Sequence, residues 1–336
     1  MRRRFGLQKA GPRNSSDQRA ELLLGALACV VLALIAGMII FVFQKAWPSF
    51  SHNGLDWFNP FAGGNVDDQL TAIFESPGNP SQYVFTMHAW PLLYATALIT
   101  ICSVVIGVGF ALLSAMFIVE FAPDALRRVL EPVVRLLAAV PSVIYGLIGI
   151  LVLVPFVGNH IISQGAKDSV AGVVTLSGPS VGVGILILTV MITPIMIAIV
   201  VDALRAVPVG WREGSVSLGV NRWRAMWTVT VRAARPAIVA AAVLATARAL
   251  GEAIMLSMVT GSVGFAPNPL DGIIYFVEPA RPLAATIVDN SEGLSVPPFA
   301  DTLYAFAAVL LVSAAFLSFG GWYIRRHLRR YTLSPI

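Results

Sequence analysis

Long apolar runs alternate with polar joints along this chain. The runs cover about 22–43, 91–119, 133–157, 181–201, 236–260 and 303–324. Each reaches or exceeds the roughly 20 residues that a helix needs to cross about 30 Å of hydrocarbon at 1.5 Å per residue. The pattern predicts an all-α integral membrane protein with six transmembrane helices. Its joints differ in character. Residues 1–20 are basic, hold Gly, Pro and Ser, and lack periodicity, which predicts a disordered tail. Arginines ahead of an apolar run imitate a signal peptide. The run 22–43 is longer than an h-region and has no small-residue cleavage site, so it is read as a retained span.

Of the 336 residues 57% are hydrophobic and 12% are charged, with a mean hydropathy of +0.78. Soluble domains carry about 25% charged residues, so composition also places the chain in a membrane. A net charge of +5 and a pI near 9.5 would suit nucleic acid. The placement of the charges argues for membrane topology instead. Lys and Arg number six in residues 1–20, three at 120–135, six in 202–235 and four after the last run. The alternate joints hold only Lys45, Lys167 and Arg281. By the positive-inside rule both termini are expected in the cytoplasm, in a multi-pass protein of the cytoplasmic (inner) membrane, surrounded by lipid and without nucleic acid.

Cys29 and Cys102 lie within apolar runs and are read as small core hydrophobes without a disulfide. His52, His88, His160 and His327 have no ligand spacing, so neither a metal site nor a catalytic centre is expected. Pro141, Pro155, Pro194 and Pro236, with Gly146 and Gly149, sit in or beside spans. Such residues either kink a packed helix or line a cavity. The external joints 44–90 and 262–302 are expected to differ in role. The first is an aromatic belt leading into irregular structure, the second a folded cap or partner contact.

The joint 202–235 is the longest on the cytoplasmic side, with six arginines against two acids. Glu213, Gly219, Asn221, Arg222 and Trp223 are spaced so that a glycine, free to take φ > 0, can reverse the chain between two short helices. This stretch resembles the coupling loop of ABC importer permeases, which docks on a separate ATPase. PSVIYGLIGI (Pro141–Ile150), TPIM (Thr193–Met196), REGSVSLGVNRW (Arg212–Trp223) and ARALGEAIMLSMVTG (Ala247–Gly261) follow in order. Together with NGLDWF (Asn53–Phe58) they are similar to permease subunits of the phosphate-specific ABC importer, in particular the subunit with a long first external loop.

The resemblance implies the type I ABC importer permease fold and no enzymatic activity in this chain. It also implies a second homologous permease subunit, an ATPase dimer on 202–235, and an external phosphate-binding protein. No cofactor is then bound by this chain, ATP and Mg belonging to the partner ATPase. Consistently, no Gly-Lys pair occurs, so no Walker A loop is possible. Departures exist: Gly214 and Ser215 replace the alanines after the motif glutamate, and Arg232 stands where a proline is expected.

Arg248 and Glu252 are charges deep inside a span, where they cost on the order of 2.5–3.5 kcal/mol each. Their i, i+4 spacing would place both on one helix face. An arginine fork matches phosphate oxygens, and the resemblance assigns both positions to substrate translocation. An ion pair that merely neutralises itself is the structural alternative. Thr246, Ser257, Thr193 and Ser142 are candidates for a hydroxyl-lined route. Permeases for molybdate or sulfate are close rivals. A proton-coupled secondary transporter using Glu252 is a rival of another class, disfavoured by the loop spacing and by the lack of a visible inverted repeat.

Overall fold

A computed structural model describes residues 15–61, 63–76, 78–170, 175–272 and 274–329. Six helices in it are long and apolar enough to cross a membrane. Helix α1 (Ser15–Asn53) begins inside the segment expected to be disordered, so residues 15–20 are helical. The rest of that tail, 1–14, lies outside the described residues. A 3-10 turn (Gly54–Phe58) and α2 (Val66–Phe74) follow. The Asn65 side chain accepts the Asp67 N–H at 3.0 Å and so caps α2. The second span is α3 (Trp90–Met116) with a π-helical turn, Phe117–Phe121.

The third span differs from the expected 133–157. Residues Asp124–Ala138 form a separate helix, α4, carrying Asp124, Arg127, Arg128, Glu131 and Arg135 at helical spacing. That charged stripe makes it amphipathic and unsuited to hydrocarbon. Pro141 separates it from the true span, Ser142–Ile161. This span runs through α5 (Ser142–Ile148), a π turn, α6 (Val154–Phe156) and a second π turn. Pro155 has no N–H for the Leu151 carbonyl, and the widened turns on either side absorb the mismatch. After α7 (Gln164–Val170) comes α8 (Val181–Arg205), which runs past Pro194 without interruption.

Next stand α9 (Val209–Ser217), α10 (Arg222–Ala225), a π turn (Met226–Thr230) and α11 (Val231–Leu250). The Arg-rich joint is therefore shorter than 202–235. Its second half is already the fifth span, Arg222–Leu250, which continues through Arg232 and past Pro236. The short helices α12 (Ile254–Val259), α13 (Ile274–Val277) and α14 (Leu283–Asp289) lead to α15 (Pro297–Arg329).

Helix α8 is central: 67% of its most apolar stretch is buried, against 6% for α1 at the periphery. Leu188, Met191, Ile192 and Met196 of α8 share one core with Ile99 of α3 and Leu256 and Val259 of α12. Ser103 Oγ donates to the Ile185 carbonyl at 3.0 Å, a polar tie between α3 and α8. A second core joins Trp57, Leu70, Ile73, Met87 and Leu283 to Phe299 and Phe306 of α15. The two joints expected to be external thus fold together as one cap on the ends of α1 and α15. Cys102 is half-buried, but Cys29 lies on an exposed face of α1 and not in a core.

Candidate translocation site and coupling loop

The apolar run 236–260 is not one helix. Helix α11 ends at Leu250, Gly251 closes it (φ −86°, ψ 0°), and α12 restarts at Ile254. Glycine weakens the helix at this point, and the next side chain stabilises the restart. Glu252 Oε1 accepts the Met255 N–H at 3.3 Å, so its carboxylate caps α12. Glu252 is 9% exposed. Arg248, in the last turn of α11, is exposed and makes no hydrogen bond or ion pair among the described residues. The expected placement of both charges on one helix face is therefore corrected. They flank a break, one carboxylate buried and one guanidinium open.

The motif Pro141–Ile150 supplies the wall beside this break. Helix α5 packs on α12 because Gly146 and Gly149 carry no Cβ. At Gly149 a Cβ would stand 2.2 Å from Ile187 Cδ1 and 2.7 Å from Val259 Cγ1. These glycines serve close approach, not kinking. Tyr145, which sequence reasoning left without a role, lies in electrostatic range of Arg248 and donates its O–H to the Leu137 carbonyl at 3.0 Å. Thr193 and Thr246 donate to carbonyls of their own helices, Thr189 O at 2.7 Å and Ala242 O at 2.8 Å. Neither presents a free donor to a passing ion. Thr193 and Pro194 do line a hollow of about 960 Å³, but it is walled by Ile106, Phe110, Leu186 and Phe276, with neither Arg248 nor Glu252 among its lining.

At the other end the candidate coupling loop has the expected helix–turn–helix form. Gly219 takes φ +82°. Gly219 N–H donates to Val216 O at 2.9 Å and Val220 N–H to Ser215 O at 3.3 Å, the Schellman closure of α9. Asn221 Oδ1 then accepts the Arg224 N–H at 2.7 Å and caps α10. Glu213 and Arg222 are exposed. Trp223 stacks on Trp227 with ring centres 6.1 Å apart. Trp211, Leu218 and Trp223 leave apolar surface open around the turn.

Three charge contacts that the sequence did not reveal lock this end. Arg212 Nη1 donates to Glu120 Oε2 at 2.8 Å, and Arg205 forks onto both oxygens of Glu131. The Arg205 hydrogen bond holds the Glu131 carboxyl below its usual range, against the opposing effect of burial. Arg127 donates to three carbonyls at the end of α3.

Residues 107–331 match the family described as binding-protein-dependent transport system inner membrane component. The probable ABC transporter permease protein YqgH of Bacillus subtilis is 33% identical over 260 residues, 77% of this chain and 76% of the relative. The phosphate transport system permease protein PstC 1 of Mycobacterium tuberculosis is 33% identical over 285 residues, 80% of each chain. Among solved structures, a chain of the bacterial alginate ABC transporter in complex with its pentasaccharide-bound periplasmic protein superposes with a TM-score of 0.56. At 16% identity over 97% of this chain and all of that one, this is a likeness of fold.

Proposed function

This chain belongs to the binding-protein-dependent transport inner membrane family, as a permease subunit of an ABC importer, and we propose that its cargo is inorganic phosphate. The observation that carries the reading is the break after α11, where a buried carboxylate and an unpaired guanidinium flank an interrupted membrane helix. Irregular backbone at membrane depth is tolerated where it lines a cavity, and charges there mark pathways.

Phosphate leaving water needs donors for its oxygens. The Arg248 fork supplies them in matching geometry. At neutral pH phosphate keeps at least one P–OH proton, whereas sulfate has none. Glu252 has an oxygen left over after capping α12 and can accept that proton's hydrogen bond. Against sulfate it faces an acceptor-only ion, a loss of about 1.5–3 kcal/mol, or roughly 10- to 100-fold. Similarity to phosphate permeases supports this cargo over molybdate or sulfate.

In this reading a second, homologous permease completes the pore, and an ATPase dimer holding ATP and Mg docks on the Gly219 loop. An external phosphate-binding protein delivers to the cap, and both termini are cytoplasmic. The exposed Trp211, Leu218 and Trp223 give the ATPase an apolar footing, with Glu213 free beside them. Labelled-phosphate uptake by proteoliposomes holding the assembled importer tests the proposal. Uptake should require ATP and resist excess sulfate. Uptake by this chain alone would favour a secondary transporter, and preference for sulfate or molybdate would favour the rival cargo.

A further inference from the structure

The π turn Phe117–Phe121 at the end of α3 touches the coupling loop on both sides of Gly219. Glu120 pairs with Arg212 of α9 at 2.8 Å, the two side chains only 14% and 24% exposed. The Phe121 ring lies 6.3 Å from that of Trp223 in α10. The same turn is gripped by Arg127 of α4, whose Nε donates to Ile118 O at 2.9 Å. Its Nη2 reaches Val119 O at 3.2 Å and Ala122 O at 3.3 Å. These carbonyls would otherwise lack partners at a helix end. The turn is thereby fixed to the bundle on one hand and joined to both arms of the docking loop on the other.

Neighbouring residues of a helix point about 100° apart. Arg212 accordingly meets the bundle while Glu213 is exposed and makes no ion pair among the described residues. One charge anchors the loop inward and the next is open to a docking partner. Of the two contacts from the π turn, the ion pair is the stronger. It is charge-assisted and mostly buried, whereas Phe121 and Trp223 are 41% and 50% exposed.

We infer that Glu120 is a positioning residue of the coupling step, its ion pair with Arg212 transmitting displacement of the docking loop into α3. Helix α3 packs in one core with α8, α11 and α12, so the displacement arrives at the helices around the break. The inference rests on the importer reading and not on the identity of the cargo.

Proteoliposomes holding both permeases, the ATPase and the external binding protein yield two rates, ATP hydrolysis and labelled-phosphate uptake. Glu120→Gln and Arg212→Gln should each assemble and hydrolyse ATP, with uptake per ATP lowered about tenfold, the scale of one coupling contact. The single reversals E120R and R212E should be worse, and the double reversal should recover to within about threefold of wild type. Wild-type uptake per ATP in the single variants would overturn the inference, as would a double reversal no better than the worse single. Loss of assembly in Glu120→Gln would overturn it too, marking the pair as structural. Should the wild-type complex hydrolyse ATP without moving phosphate, the cargo reading fails. Stimulation of hydrolysis by the binding protein, which needs no labelled ion, then decides Glu120's role in the same variants.

Discussion

Asp67 and Arg281, 214 residues apart in the chain, form an ion pair that closes the cap. The same guanidinium donates to the Ser262 carbonyl and stands 3.9 Å from the Asp289 carboxylate. One side chain thus joins α2, the loop after α12, and α14.

Arg281→Met should loosen this junction while keeping the apolar stem. Removing one partner of a fully buried pair costs about 3–5 kcal/mol. Asp67 is 37% exposed, so solvent screening reduces the expectation to about 2 kcal/mol. The Val66 amide, bonded to Gly264 O, and the Leu283 amide, bonded to Thr96 Oγ1, should exchange hydrogen roughly 30-fold faster. Unchanged protection would mean that apolar packing alone holds the cap.

Gly219→Val should insert and assemble yet transport poorly. At φ +82° a Cβ costs about 1–2 kcal/mol, more for a branched residue, although no neighbouring atom obstructs it. The α9–α10 turn would open and the docking surface would lose its shape. Gly219→Asn, which tolerates this conformation, should retain most uptake. Full uptake in the valine variant would remove this loop from the coupling path.

Arg248→Gln should abolish phosphate movement in an assembled complex, since no other described residue at the break offers a fork of charged donors. Glu252→Gln keeps an oxygen for the Met255 N–H, so α12 should stay capped. In an importer made independent of its binding protein, this variant should lower the phosphate-to-sulfate ratio at least about tenfold. An unchanged ratio would leave Glu252 with a capping role only.

Glu278 supplies a pH test of the cap. Burial raises its pKa above the ordinary 4.5, outweighing the Asn268 N–H bond that favours the charged form. The folded cap therefore holds this proton more tightly than the opened one. Its stability falls as pH rises from about 4.5 to the raised value and levels off above it. Comparing wild type with Glu278→Gln at each pH cancels intrinsic exchange chemistry. The ratio of their exchange rates around 268–278 should climb through that window and then flatten. A ratio independent of pH would show Glu278 equally hydrated when the cap is open or closed.

What was legible in the sequence was local. Six apolar runs became six spans, and the Gly219 turn matched its residues because both helix caps lie within five positions. The charges of Asp124, Arg127, Arg128, Glu131 and Arg135 recur at helical spacing, a signal of an amphipathic helix that goes unused when the stretch is read as a basic joint and the third span is begun at 133. The break at Gly251 had a signal as well, a glycine followed by a carboxylate three residues before an amide needing a cap. It was masked because hydrophobicity continues through Met255 and Leu256. Glu120–Arg212 and Asp67–Arg281 leave no trace in either local pattern. Such pairs depend on how distant helices are set against one another, which only tertiary packing determines.

The two separate hydrophobic cores carry a consequence for denaturation. One is centred on α8, the other on Trp57 and Phe306 between α1, α15 and the cap. Helix α3 gives Leu92 to the second and Ala95 and Ile99 to the first, which links them, yet each keeps an apolar interior of its own and can open as a sub-global unit. Heating or denaturant should produce two transitions, with the Trp57 region releasing separately from the α8 bundle. A single midpoint assigned to this chain would average two linked but distinct equilibria.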